Sequence, residues 1–109
     1  MEVKPNNKSK IKSMLGFAAK ARKLAAGSEL TLSAIRGKKA LIVLIAADVS
    51  ENTRKRLTNC CEYYEIEHFF VEFTIDELGH IIGKPGGTAC VAILDRGFAQ
   101  TIKSVISDE

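Results

Sequence analysis

Eight consecutive apolar residues at positions 40–47 (ALIVLIAA) set the first requirement on the fold of this chain. The run is rich in aliphatic and β-branched side chains and is bounded by Lys39 and Asp48. Such a run is typical of a strand that is buried on both faces of a sheet. Because eight residues are too few to cross a bilayer, the run predicts a strand with helices packed on each side.

Helical and strand patterns alternate on both sides of this run. Apolar residues at helical spacing predict an amphipathic first helix, and capping residues mark the starts of later ones. The expected strands cover residues 23–26, 40–47, 68–73 and 89–94, and the helices start at or just after Ser9, Ser28, Ser50, Thr74 and Asp95. This alternation predicts an α/β fold, a three-layer α/β/α sandwich around a small mixed, mostly parallel four-stranded sheet. We expect a flexible N-terminal tail at residues 1–8 and a single α/β/α domain over residues 9–107.

Charge is distributed unevenly along the 109 residues, although the net charge is only +3. Residues 1–39 carry ten basic and two acidic residues, whereas residues 40–109 carry six basic and eleven acidic ones. A domain polarised in this way suggests a polyanionic partner such as nucleic acid. A solvated basic helix face explains the same numbers, so charge alone leaves both interpretations open.

Motifs of enzyme and metal chemistry are missing from the sequence. There is no G-x-S-x-G, no H-E-x-x-H and no Walker A pattern. His68 and His80 have no metal-ligand partner at short spacing, and Cys90 lies in an apolar strand where an inert thiol is expected. Three cysteines without a disulfide framework suit a reducing compartment. We therefore expect a cytoplasmic protein with no catalytic residue, metal, cofactor or membrane span; a small enzyme using Cys90 or His68 is the disfavoured alternative.

The candidate binding site is the segment of residues 23–39 (KLAAGSELTLSAIRGKK). Gly27 allows a close backbone approach, and Ser28 is predicted to cap a helix whose free N–H groups can hold a phosphate. Glu29 either favours the helix dipole or accepts hydrogen bonds from the N–H groups of a guanine edge. A lone acid in a segment that attracts phosphates favours the second interpretation. Four basic residues flank the helix start and are predicted to hold the RNA backbone: Lys23, Arg36, Lys38 and Lys39.

The chain resembles the L-seven-Ae family of kink-turn-binding ribosomal proteins, and within it the bacterial YlxQ-type members. The resemblance covers residues 11–106 and rests on MLGFAAKARKLAAGSELTLSAIRGKKALIVLIAADVSENT, ELGHIIGK and ACVAILDRGFA. It implies an α/β/α sandwich that binds kink-turn RNA, a helix bent sharply at tandem sheared G·A pairs. On this basis we expect a ribosome-associated monomer whose partner is structured RNA, in particular ribosomal RNA.

The family's recognition pattern implies roles for particular residues. Gly27 supplies the turn, and Ser28 falls on a position that is usually Asn. Glu29 falls on the Glu that contacts the guanine of a sheared pair, and Thr31 falls on a Thr. A second RNA loop of the family falls on residues 83–89, where the implied contacts come from Lys84, Gly86, Gly87 and Thr88.

Two departures from the family pattern support an alternative function. Leu32 stands where the family usually has Lys, and an aliphatic side chain cannot contact phosphate. The glycine-rich residues 83–88 (GKPGGT) replace a loop that is normally apolar. The alternative is a protein–protein interaction module on the same fold, with lost or altered RNA readout.

Overall fold

Helices and strands alternate strictly along residues 5–107, which are the residues that the computed structural model describes, with the backbone alone for Pro5 and Asn6. No helix in this range is long and apolar enough to cross a membrane; the longest, α1, has 16 residues. In chain order the elements are α1 (Pro5–Lys20), β1 (Leu24–Ala26), α2 (Ser28–Arg36), β2 (Ile42–Ile45), α3 (Glu51–Tyr63), β3 (Glu67–Phe70), α4 (Ile75–Ile82), β4 (Cys90–Ile93) and α5 (Arg96–Ser107).

The sheet lies between two helical layers, as the apolar run at residues 40–47 predicts. Every residue of β2 and β4 is buried. On one face the core contains Ile11 of α1, Leu78 of α4 and Ile102 of α5. On the other face it contains Leu32 of α2 and Leu57 of α3. The three-layer α/β/α sandwich is therefore confirmed.

Strand β4 makes the sheet less parallel than the sequence predicts. The order is β1-β4-β2-β3, and β4 is antiparallel to both of its neighbours, so only the pair β2–β3 is parallel. The reason is the path of the chain around α4. The Ile75 N–H at the start of α4 donates to Asp48 Oδ1 (2.7 Å), and the Thr88 N–H after the helix donates to the Ile75 carbonyl (3.1 Å). The chain therefore enters β4 at the end of the sheet where β2 and β3 finish. As a result, β4 runs antiparallel to β2.

Helix α1 begins earlier than predicted. It starts at Pro5, so residues 5–8 belong to the helix rather than to a flexible tail, and residues 1–4 of that expected tail lie outside the described residues. Asn7 is buried, and its side-chain amide donates to the Val105 carbonyl of α5 (3.1 Å). Proline is well tolerated in the first turn of a helix, because its missing N–H would have no partner there. A buried asparagine is not part of an apolar pattern, so the pattern of apolar residues predicts a helix start that is too late in the sequence.

Candidate nucleic-acid interface

The start of α2 is an uncapped helix end at the edge of the sheet. Gly27, rather than the predicted Ser28, is the N-cap residue, with φ 93° and ψ 160°, and no side chain caps the helix. Thr31 is the first residue whose N–H bonds within the helix, to the Gly27 carbonyl (2.9 Å). The N–H groups of Ser28 and Glu29 have no acceptor among the described residues. Such free amides, at the positive end of the helix dipole, are suited to binding an anion.

Gly27 is required at this position by its backbone conformation. A φ of 93° is strained for any residue that has a Cβ atom. The Gly27 N–H also donates to the Cys90 carbonyl (2.9 Å), which fixes the turn to β4. A Cβ atom at this position would lie 3.3 Å from Lys84 Nζ. The turn at Gly27 therefore ties the helix start to β4 and places it beside Lys84.

Glu29 presents its carboxylate to solvent beside these amides. Its side chain is 83% exposed, and its Oε1 atom lies 3.5 Å from Nη2 of Arg56 on α3. The Arg56 side chain is itself 56% exposed. Exposed ion pairs of this kind contribute about 0–1 kcal/mol, so the Glu29 carboxylate remains available to a ligand.

The loop of residues 83–88, on which the family's second RNA loop falls, packs beside the helix start. Lys84 Nζ donates to the Ala26 carbonyl, the last residue of β1 (3.2 Å). The Thr88 hydroxyl donates to the Cys90 carbonyl (3.2 Å) and is buried, whereas Gly86 is exposed and Gly87 is half-buried. The structure thus places Lys84 next to Gly27 and turns the side chain of Thr88 away from the surface.

Thr31 and Leu32 face the interior of the protein. Thr31 is fully buried, and its hydroxyl donates to the Ala25 carbonyl at 3.5 Å. Leu32 is 2% exposed and packs in the core between α2, α3 and the sheet. The expected contact between the Thr31 side chain and RNA is therefore not available in this structure, and this residue anchors α2 to β1 instead.

Four of the predicted basic residues lie at the other end of the sheet, and we call them the distal basic cluster: Lys23, Arg36, Lys38 and Lys39. All four are exposed. The Lys23 carbonyl accepts from the Leu94 N–H (2.9 Å) where β4 ends, and α2 separates Arg36 from the helix start. Nine helical residues span about 13 Å. Contrary to the prediction, these cations do not surround Gly27 and Glu29.

One arginine of α3 that the sequence did not single out lies at the helix start, and a second lies on the β3 edge of the sheet. Arg56 pairs with Glu29, and the Arg54 guanidinium lies 4.7 Å from the centre of the Phe70 ring. The signal was the basic run Arg54-Lys55-Arg56, which stands out in an otherwise acidic part of the chain. Only the packing of α3 against α2 shows that Arg56 lies beside Glu29.

The thiols below this surface have pKa values that make them poor nucleophiles. Burial, followed by repulsion from the neighbouring Cys60 and Cys90 thiols, raises the pKa of Cys61 to about 12. Burial also raises the pKa of Cys90, although hydrogen bonds with Thr31 and Ser28 partly oppose that shift. A raised pKa leaves little of the reactive thiolate near neutral pH.

We expect iodoacetamide at pH 8 to alkylate Cys61 and Cys90 of the folded protein far more slowly than the half-buried Cys60. Mass spectrometry of proteolytic fragments measures the three rates. Unfolding in denaturant supplies the control, because all three thiols should then react at similar rates. Rapid alkylation of Cys90 in the folded state would contradict the assignment of that thiol as inert.

Comparison with known sequences shows clear relatives of this chain. The sequence model of the ribosomal protein L7Ae/L30e/S12e/Gadd45 family matches residues 9–103. A protein named RNA-binding protein YlxQ, from Enterococcus faecium, is 41% identical over 100 residues, which cover 92% of this chain and 94% of that protein. A protein of the same name from Bacillus subtilis (strain 168) is 39% identical over 93 residues, which cover 85% and 91% of the two chains.

Solved structures share the fold. A protein of unknown function from Bacillus halodurans C superposes with a TM-score of 0.84 at 30% identity, covering 91% of this chain and 98% of that one. The 15.5 kD RNA-binding protein of Giardia lamblia superposes with a TM-score of 0.78 at 17% identity, covering 95% and 88%. At that identity the second likeness concerns the fold alone.

Proposed function

The chain belongs to the ribosomal protein L7Ae/L30e/S12e/Gadd45 family, and from that premise we propose that it binds structured RNA of the kink-turn type. In this proposal the loop and helix start at residues 27–29 contact the sheared G·A pairs. The RNA is ribosomal, and the protein acts as a cytoplasmic monomer associated with the ribosome. The names of both sequence relatives, which describe RNA-binding proteins, support the RNA-binding part of this proposal.

The observation that carries the proposal is the uncapped start of α2 with an exposed carboxylate in its first turn. The free amides of Ser28 and Glu29 supply donors for a phosphate oxygen. The carboxylate of Glu29 supplies acceptors for the N–H groups of a guanine edge. One short segment therefore offers both a contact that positions the RNA backbone and a contact that reads a base.

Cations around the helix start complete the surface. Lys84 and Arg56 lie on either side of it, and both side chains are exposed. When a guanine takes the place of Arg56 at the Glu29 carboxylate, the guanidinium is free to contact a neighbouring phosphate. The distal basic cluster, about 13 Å away along α2, suits the phosphates of a stem that continues past the bend.

The proposal is tested with a kink-turn RNA and a fully paired duplex of the same length, each labelled and titrated with protein. The kink-turn RNA should bind more tightly at every salt concentration between about 50 and 200 mM. Equal affinities for both RNAs would overturn the kink-turn proposal. If neither RNA binds, the alternative of a protein–protein interaction module gains support.

Lys84→Gln is expected to weaken binding of the kink-turn RNA and to reduce the slope of log affinity against log salt by about 1, because one phosphate contact is lost. Glutamine keeps a donor for the Ala26 carbonyl, so the loop should stay folded. Lys12→Gln is the matched control, since Lys12 is an exposed lysine of α1, in the layer opposite α2. An identical slope change in both variants would mean that Lys84 makes no specific contact.

A further inference from the structure

Strand β3 forms one edge of the sheet and leaves one side of its backbone unpaired. The Val71 N–H donates to the Ile45 carbonyl (2.9 Å), which fixes the register of this segment on β2. Alternate residues of a parallel strand bond to the same neighbour, so Phe69 faces β2 whereas His68 and Phe70 turn their N–H and C=O groups outward. Within residues 5–107 no hydrogen bond reaches those outward groups. They form a template on which another strand can pair.

The opposite edge of the sheet is protected against such pairing. Strand β1 has only three residues, and the outward carbonyl of Ala26 accepts a hydrogen bond from Lys84 Nζ (3.2 Å). A lysine on an edge strand is a common means of blocking strand addition. Among the described residues no lysine bonds to the outward groups of β3, so the two edges of the sheet differ in their capacity to accept a partner.

The surroundings of β3 are strongly acidic. Residues 57–83 contain six acidic residues and no lysine or arginine. Among them Glu62, Glu65 and Glu72 border the strand, are exposed and have no ion-pair partner among the described residues. This charge repels RNA, and it also repels a second copy of the same edge. The partner that it attracts is a cationic one.

A lysine and an arginine of this chain already contact side chains of β3. Lys103 of α5 pairs with Glu67, and the Arg54 guanidinium lies over the Phe70 ring at 4.7 Å. Phe70 is 40% exposed, and Tyr63, the last residue of α3, is 80% exposed, so both aromatic residues have surface that is open to further cations. A groove of about 320 Å³ runs beside the strand and is lined by Glu65, Ile66, Glu67, His68 and Phe69.

We propose that β3 is a docking site for an extended segment of a partner protein that is rich in lysine and arginine. The segment adds to the sheet as a fifth strand, and its backbone bonds to the outward groups of His68 and Phe70. Its cationic side chains contact Glu65 and Glu72, and they pack on the exposed rings. Because β1 and β3 are opposite edges of the sheet, the start of α2 stays free while this site is occupied. The site does not depend on RNA binding.

The test uses the full chain and a short labelled peptide in which lysine or arginine alternates with valine. We expect saturable binding, and we expect the His68 and Phe70 amides to become protected from hydrogen exchange in NMR spectra of the ¹⁵N-labelled protein. Protection confined to other amides would overturn the proposal. A peptide of the same sequence with N-methyl groups on alternate residues cannot form a strand ladder, so equal binding of both peptides would also overturn it.

Charge reversal provides the second arm of the test. Glu65→Lys with Glu72→Lys should weaken peptide binding about tenfold, because each change removes an attraction and adds a repulsion. The matched control is Asp76→Lys with Glu51→Lys, which changes the net charge equally at two exposed acids that lie outside residues 62–72 of the chain. Equal weakening in both double variants would show a general charge effect and overturn docking at β3. Titration of the same variants with kink-turn RNA measures RNA binding at the helix start independently of peptide binding at β3. Failure of one proposal can therefore be told apart from failure of the other.

Discussion

Replacing Glu29 by alanine is expected to weaken binding of kink-turn RNA by about tenfold to a hundredfold, which corresponds to a lost base contact of about 1–3 kcal/mol. The sign of the effect is decisive. If Glu29 only favours the helix dipole, its removal takes a negative charge away from phosphates, and RNA affinity should rise. If its carboxylate accepts hydrogen bonds from guanine, the affinity should fall, and it should fall more for kink-turn RNA than for duplex.

Glu51→Ala is the matched control for this experiment. Glu51 is an exposed acid in the first turn of α3, as Glu29 is in the first turn of α2. Each variant loses a favourable charge–dipole interaction of about 0.3–1 kcal/mol, so the two should have similar thermal stability. Only Glu29→Ala should lose RNA affinity in a fluorescence titration. Equal RNA affinities in the two variants would contradict a base contact at Glu29.

Local sequence patterns predicted the helices and strands well, because the interactions that start and end these elements involve residues close in sequence. At the predicted helix start, Thr74 and Glu77 form a capping box, in which each side chain accepts a hydrogen bond from the other residue's backbone N–H. Asp95 likewise accepts from the Phe98 N–H at the start of α5 (3.1 Å). The direction of β4 has no such local cause. It depends on the contact between Ile75 and the residues after α4, which are distant from β2 in sequence, so alternation alone suggested a more parallel sheet.

The candidate site was predicted only in part, for a related reason. The resemblance named the helix start and the loop of Lys84 as two RNA-binding segments, and in the structure these two segments lie together. The distal basic cluster was predicted to surround the helix start because its residues are close to that start in sequence, but the two ends of α2 are about 13 Å apart in space. The burial of Thr31 could have been predicted from the sequence. Thr31 and the apolar Ile35 are one helical turn apart, so they share the helix face that packs on the sheet.

The second large effect is expected at Gly79, where alanine should lower thermal stability although it lies within a helix. Alanine normally stabilises a helix interior by about 1 kcal/mol over glycine. At Gly79, however, an added Cβ atom would lie 2.4 Å from Gly87 Cα and 2.8 Å from the Lys84 carbonyl oxygen. Both of these atoms belong to the backbone, so the loop itself must move. Overpacking of this kind costs about 1–3 kcal/mol and outweighs the gain in helix propensity.

The loop has little room to move away from Gly79. Gly87 has a φ of 88°, and a Cβ atom at that residue would itself lie 2.7 Å from Ile75 Cγ2. A shift of Gly87 would also strain the hydrogen bond from the Thr88 N–H to the Ile75 carbonyl. That hydrogen bond fixes the path of the chain from α4 into β4. Since Lys84 is part of the same loop, Gly79→Ala should weaken RNA binding as well as stability.

Gly16→Ala supplies a control with the opposite expected sign. Gly16 lies in α1, and an added Cβ atom would meet only the Ile81 carbonyl oxygen, at an ordinary distance of 3.8 Å. Gly16→Ala should therefore raise Tm by a few degrees, and Gly79→Ala should lower it by about 4–8 °C for each kcal/mol lost. Calorimetry of the two variants measures both shifts. A rise in Tm for both would show that the loop yields to Gly79→Ala at little cost, and the placement of Lys84 beside the helix start would then not depend on this close packing.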